Sequence, residues 1–186
     1  MKMDRIAIVM MSAAGDAVHT LPVVNALKRH HAAAHITWIL QPAPATLVRA
    51  HRAVDDIILF DRSRGWRAFT DIRRTLSRRD FDLVIALQVY FKAGIVTSFT
   101  RAPVKLGFDR ARARDLNWVF TNRKIPPHPN QHVQDQYFEF LRVLGVPHEP
   151  VEWHLGPWPE EKPWQGDFFP PFGRPARPMV VATTKP

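Results

Sequence analysis

Residues 5–30 read RIAIVMMSAAGDAVHTLPVVNALKRH. Arg5 to Met11 is a continuous apolar run of the β type, the pattern of a strand covered on both faces. Ala17 to His30 then places Val18, Leu21, Val24 and Leu27 at helical spacing. Between the two lies a glycine followed by an acid, Gly15 and Asp16. A buried strand that turns at a glycine into a helix is the building unit of an open α/β sheet.

The unit recurs. His35–Leu40 (HITWIL), Asp56–Phe60 (DIILF) and Asp82–Leu87 (DLVIAL) repeat the buried-strand pattern. Helical stretches fall between and after them: Ala43–Arg52, Gly65–Arg79 with Trp66, Phe69, Ile72 and Leu76 on one side, and Lys92–Thr100. A short strand over Val104–Gly107 follows. A longer helix over Gln131–Gly145 then turns Val133, Tyr137, Phe140, Leu141 and Leu144 inward and stops at Gly145. Alternating strands and helices predict an α/β fold, a Rossmann-like parallel sheet with flanking helices.

Residues 1–146 are expected to form this domain. From Pro147 to Pro178 the chain is rich in proline and tryptophan, which precludes long helix and reads as a crossing segment or linker. MVVA, Met179 to Ala182, has the look of a first strand, so residues 179–186 are expected to open a second domain of a longer protein.

With 186 residues and no cysteine, the chain is expected to fold by burial alone, without disulfides or thiolate chemistry. No window approaches the ~20 apolar residues that span a bilayer. Twenty-six Lys and Arg against 17 Asp and Glu leave a formal charge of +9, which favours anionic partners. Nucleic acid is the poorer choice among them, because no DNA- or RNA-binding signature accompanies the charge. Spaced glycines of a dinucleotide fingerprint and a Lys-Ser/Thr phosphate loop are both missing, which speaks against a bound nucleotide cofactor.

Asp16 falls where ligands of open parallel sheets bind, beyond the carboxyl end of a strand. There it could cap the helix or face the crevice as a base. Pro22 conflicts with a helix that starts at Asp16, so either the helix begins near Thr20 or its first turns are kinked.

Taken in order, RIAIVMMSAAGDAVHTLPVVNALK, FDLVIALQVYFKAGIVTSFTRAPVKLGFDRARARDLNWVFTNRK and QHVQDQYFEFLRVLG resemble the N-terminal domain of the family 9 glycosyltransferases, the lipopolysaccharide heptosyltransferases. The resemblance implies that the chain is the N-terminal half of a GT-B fold. That half would bind an anionic Kdo-lipid A inner-core acceptor, while the other half binds the donor ADP-heptose. It also implies inverting transfer without a metal or other cofactor, at the cytoplasmic surface of the inner membrane, with Asp16 as general base. Another nucleotide sugar as donor is the alternative.

By the same resemblance Lys92, Arg114 and His132 match acceptor-binding positions, and Thr183 and Thr184 match a turn that holds donor phosphate. Each also has a plainer reading: Lys92 as a solvated helix-start lysine, Arg114 as a partner of Asp109 or Asp115, His132 as a first-turn surface residue. Gln88-Val89 and Lys92-Ala93 depart from the family's QG and KS pairs. Seven arginines lie between positions 62 and 79. Arg67, Arg74 and Arg78 would share a solvated helix face, and the family's basic segment here implies that Arg62 and Arg64 face the acceptor and the anionic leaflet.

Overall fold

The computed structural model describes residues 2–129 and 131–156. The expected strand at 179–182 and the donor-site Thr183 and Thr184 lie outside them. Six strands are present among the described residues: β1 (Arg5–Val9), β2 (His35–Leu40), β3 (Asp56–Leu59), β4 (Leu83–Ala86), β5 (Val104–Gly107) and β6 (Arg123–Lys124). They form one sheet in the order β3-β2-β1-β4-β5-β6, every neighbouring pair parallel. The helices are α1 (Ala14–His30), α2 (Pro42–Val48), α3 (Trp66–Leu76), α4 (Phe91–Phe99) and α5 (Val133–Leu144).

The continuous apolar runs are explained by the cover on both faces. Along β1 and the two residues that follow it, Ile6, Ile8 and Met10 join Leu21 and Leu27 of α1 and Phe140 and Leu141 of α5 in one core. The alternate residues Ala7, Val9 and Met11 join Ile72 and Leu76 of α3 and Val96 of α4 in the other. A strand buried on both sides has no polar position to reveal its period, so Ile6 to Met11 run apolar throughout.

Helix α1 starts at Ala14, earlier than its apolar spacing predicts, and Pro22 lies inside it. Thr20 to Leu27 are all buried around that proline. An interior proline costs about 3 kcal/mol, whereas burying each neighbouring Leu or Val contributes roughly 1.5–3 kcal/mol, so burial wins. Such all-round burial needs a cover beyond the sheet, and the chain after α5 supplies it. Asn25 donates to the Glu152 carbonyl at 2.7 Å, and Arg29 reaches the Glu149 carbonyl at 2.9 Å and the Glu152 carboxylate at 3.1 Å. His148 stacks on Phe138, with ring centroids 4.6 Å apart. The compact unit extends to Leu155, and the first proline-rich residues pack on α1 and α5.

Helix α3 is shorter than Gly65–Arg79, and of its expected inward face Phe69, Ile72 and Leu76 pack on the core while Trp66 does not. Ala68, Ile72 and Leu76 are the buried positions, while Trp66 is 82% exposed. Trp66 is the first residue of the helix, and its ring meets Phe69 in a T-shaped contact, Phe69 in turn packing on Phe60. Arg67, Arg74 and Arg78 are exposed, as the amphipathic pattern predicts. Helix α5 ends at Gly145 in the left-handed conformation (φ 72°), so the glycine stop holds. Strand β6 was not legible in the sequence: it has two residues, both charged and exposed.

Candidate functional site at the switch between β1 and β4

Strand order reverses direction at β1, since β2 lies on one side of it and β4 on the other. Val9 and Ala86 are paired neighbours at the carboxyl ends of these two strands. The chain leaves β1 for the core face of α1 and leaves β4 for the opposite face with α4. The loops therefore diverge and open a crevice, the place where open α/β sheets bind ligands.

Gln88 ties the two loops together. Its Oε1 accepts from the Met11 N–H at 3.1 Å, and its Nε2 donates to the Ser12 carbonyl at 2.8 Å and to the Ser12 hydroxyl at 3.3 Å. An amide offers a donor and an acceptor on separate atoms of one side chain, which this clamp uses together. Gln88 was not singled out as a functional position in the sequence, because its partners lie 76 and 77 residues away.

Asp16 is not the N-cap residue. That place belongs to Ala13, and the Asp16 carboxylate reaches back from the first turn to accept the Ala13 N–H at 3.0 Å through Oδ2. Its Oδ1 has no hydrogen-bond partner among the described residues. The helix cap and the candidate base are thus two oxygens of one side chain. Asp16 also faces Tyr137 of α5: burial, and then the Asp16 charge, push the Tyr137 phenol well above its ordinary range, so it stays protonated.

A cavity of about 500 Å³ opens beside this loop, and Asp16, Arg62, Gln88, Tyr90, Lys92 and Asp115 are among the residues that line it. Arg62 lies in the short turn after β3, and Lys92 in the first turn of α4. Neither has an acidic partner among the described residues. Two cations and a half-free carboxylate around one cavity can bind an acidic molecule and take a proton from it.

The remaining sequence-derived positions do not line this cavity. Arg64 is in an ion pair with Asp71 at 2.7 Å. Arg114 is exposed; its guanidinium lies 5.8 Å from the ring centre of the cavity residue Tyr90. It pairs with neither Asp109 nor Asp115, because the partner of Asp109 is Arg112. His132 is the N-cap of α5, accepting the Gln134 N–H at Nδ1 (3.3 Å), with its ring edge-on to His19. No group of three or more His, Cys, Asp or Glu among the described residues is arranged to hold a metal ion.

The chain is similar to known sugar transferases. The family matched is "Glycosyltransferase family 9 (heptosyltransferase)", over residues 69–185. The chain is 29% identical, over 81% of its length and 43% of the relative's, to the lipopolysaccharide core heptosyltransferase OpsX of Haemophilus influenzae. It is 28% identical, over 77% of its length and 43% of the relative's, to lipopolysaccharide heptosyltransferase 1 of Pseudomonas aeruginosa. Among solved structures it resembles the E. coli heptosyltransferase WaaC with ADP-2-deoxy-2-fluoro heptose, with TM-score 0.70, 27% identity, and cover of 80% of this chain and 51% of that one. A family 9 glycosyl transferase from Veillonella parvula shares the fold, with TM-score 0.78, 19% identity, and cover of 90% of this chain and 49% of that one. The chain spans about half the length of the relatives it matches.

Proposed function

The chain belongs to glycosyltransferase family 9, the heptosyltransferases, and from that membership we propose that it is the acceptor-binding half of an inverting heptosyltransferase. In this reading the sheet described above is the N-terminal half of a GT-B fold. The donor is ADP-heptose, the acceptor is the Kdo-bearing inner core of lipopolysaccharide, and no metal or cofactor takes part. The observation that carries the reading is the placement of Asp16, with one carboxylate oxygen unbonded among the described residues, on a cavity also lined by Arg62 and Lys92, which have no acidic partner among those residues.

The chemistry follows from those three side chains. Arg62 and Lys92 neutralise the carboxylate and phosphate groups of the acceptor and so hold its sugar in the cavity. Asp16 Oδ1 accepts the proton of the attacking hydroxyl as that oxygen bonds to the anomeric carbon. The bond to the diphosphate breaks on the opposite face, ADP departs with the electron pair, and Asp16 is left protonated. Arg114 extends the cationic surface toward the outer acceptor. Arg64, committed to Asp71, and His132, committed to the α5 cap, contribute less. Thr183 and Thr184 are assigned to donor phosphate on a second domain.

Binding of a deacylated Kdo-containing acceptor, measured by calorimetry, tests the reading. Lys92→Ala and Arg62→Ala are each expected to weaken it about tenfold, the loss of one charge-assisted contact. A folded chain that does not bind this acceptor refutes the assignment.

Among the described residues no helix is long and apolar enough to cross a membrane. We place the protein on the anionic cytoplasmic surface of the inner membrane, with exposed Trp66 and its neighbour Arg67 as the contact, since tryptophan settles at the interface and an arginine near the surface contributes about 1 kcal/mol. Cosedimentation with phosphatidylglycerol-containing vesicles should fall for Trp66→Ala and disappear in high salt. Equal binding by the variant would remove this patch from consideration.

A further inference from the structure

Asp115 lines the same cavity as Asp16, although it comes from the loop after β5. Its backbone is left-handed, with φ 49°, and so is that of the next residue, Leu116, with φ 61°. Two successive non-glycine residues in this region are uncommon, and Leu116 gains no burial from it, being 62% exposed. The scaffold holds the conformation. Arg114 N–H donates to the Val89 carbonyl at 2.9 Å, and Asn117 N–H to the Arg114 carbonyl at 2.9 Å. The buried Asn117 amide donates to the Tyr90 carbonyl at 2.7 Å. The loop is thereby latched to the segment that carries Gln88, Tyr90 and Lys92. Strain maintained by surrounding bonds at a cavity wall points to a role for the residue so placed.

The Asp115 carboxylate itself has no hydrogen bond or ion pair among the described residues. We propose that Asp115 contacts substrate: it accepts a hydrogen bond from a sugar hydroxyl of the acceptor and thereby sets the acceptor's orientation toward Asp16. This rests on the acceptor-binding reading above. A carboxylate can only accept, and sugar hydroxyls donate. Its charge also repels the acid groups of the acceptor, which then fall to Arg62 and Lys92. Cations and Asp115 together give the cavity a polarity that admits one orientation of a molecule bearing both acids and hydroxyls.

The sign of the effect separates contact from bystander. Removing a bystander carboxylate from a site for an anion would tighten binding, whereas removing a hydrogen-bonding one weakens it. Binding of the deacylated Kdo-containing acceptor should be measured for the chain, Asp115→Gly, Asp115→Asn and Lys92→Ala. Glycine accepts the positive φ and is expected to weaken binding about tenfold. Asparagine, which also tolerates this region and keeps an acceptor oxygen, should fall between glycine and the parent, and it keeps the test sound if glycine loosens the loop. Unchanged or tighter binding in both Asp115 variants, with Lys92→Ala still weakened, overturns the role of Asp115 and leaves the acceptor reading standing. No binding by the folded parent overturns both.

Discussion

Asp16→Asn is expected to lower heptose transfer by a factor of about 10²–10⁴, the range over which a positioned general base acts. The assay requires the transferase in which this domain is paired with its donor-binding partner. Asparagine is the informative substitution because its side-chain oxygen can still accept the Ala13 N–H that Asp16 accepts at 3.0 Å. The start of α1 is thus preserved, and only the proton-accepting oxygen is lost. Acceptor binding should therefore survive, with kcat reduced and acceptor KM little changed. Asp16→Ala would add the loss of the cap contact, a stability cost of about 1 kcal/mol. If Asp16→Asn retained full kcat, the base would have to lie elsewhere and Asp16 would be a capping residue alone.

Arg112→Ala should be the most destabilising single change away from the cavity, by about 3–5 kcal/mol. Arg112 and its partners Asp109 and Glu139 have side chains only 6–8% exposed. Its guanidinium also donates to the Pro126 carbonyl at 2.8 Å, and Gln131 completes the group through Glu139. Removing the cation leaves two buried carboxylates without their charge partner. The loss should appear as a lower denaturant midpoint, and as a weaker acceptor contact through Asp115, since the same loop carries both.

The pH dependence of that loss follows from the direction of the Asp109 shift. Burial alone would raise the Asp109 carboxyl, but the hydrogen bonds from Arg112 and Ala111 outweigh it and hold the group below its ordinary value. In the parent protein this stabilisation is complete above the unfolded value of about 3.9 and is lost as pH falls through the still lower folded value. Without the Arg112 guanidinium the backbone N–H groups of positions 111 and 112 still hold Asp109, but burial is opposed by less, so Asp109 takes up its proton at higher pH than in the parent and is relieved by doing so. The deficit of Arg112→Ala should therefore be largest at neutral pH and shrink toward pH 4. A deficit that stays constant with pH would assign the effect to lost packing rather than to charge.

Glycine positions behaved unequally as signals. Gly145 was readable as a helix stop because the requirement for positive φ is local. Gly94 was not. A Cβ there would overlap the Phe120 ring, so this glycine lets α4 lie against the turn at Asn117–Phe120. That requirement exists only once residues distant in sequence have met. On α3 the apolar spacing placed Phe69, Ile72 and Leu76 inward, as the structure has them, but did not reveal the exposure of Trp66, the first residue of the helix.

The parallel sheet, its doubly covered strands and the location of Asp16 at a strand end could be derived from residue order alone, because each rests on short-range chemistry: apolar runs, helical spacing, a glycine before an acid. The composition of the cavity depended on the tertiary structure. Arg62 comes from the turn after β3, Lys92 from the start of α4 and Asp115 from the loop after β5, and Gln88 joins the loops across 76 residues of chain. Such partners are chosen by the strand order and by the divergence of the chain at the switch point. Neither Arg112, the cation buried between Asp109 and Glu139, nor Arg114, the exposed one two positions later, carries a local pattern that distinguishes it from the other. Burial decides between them, because a cation enters the interior only where carboxylates are already placed to receive it.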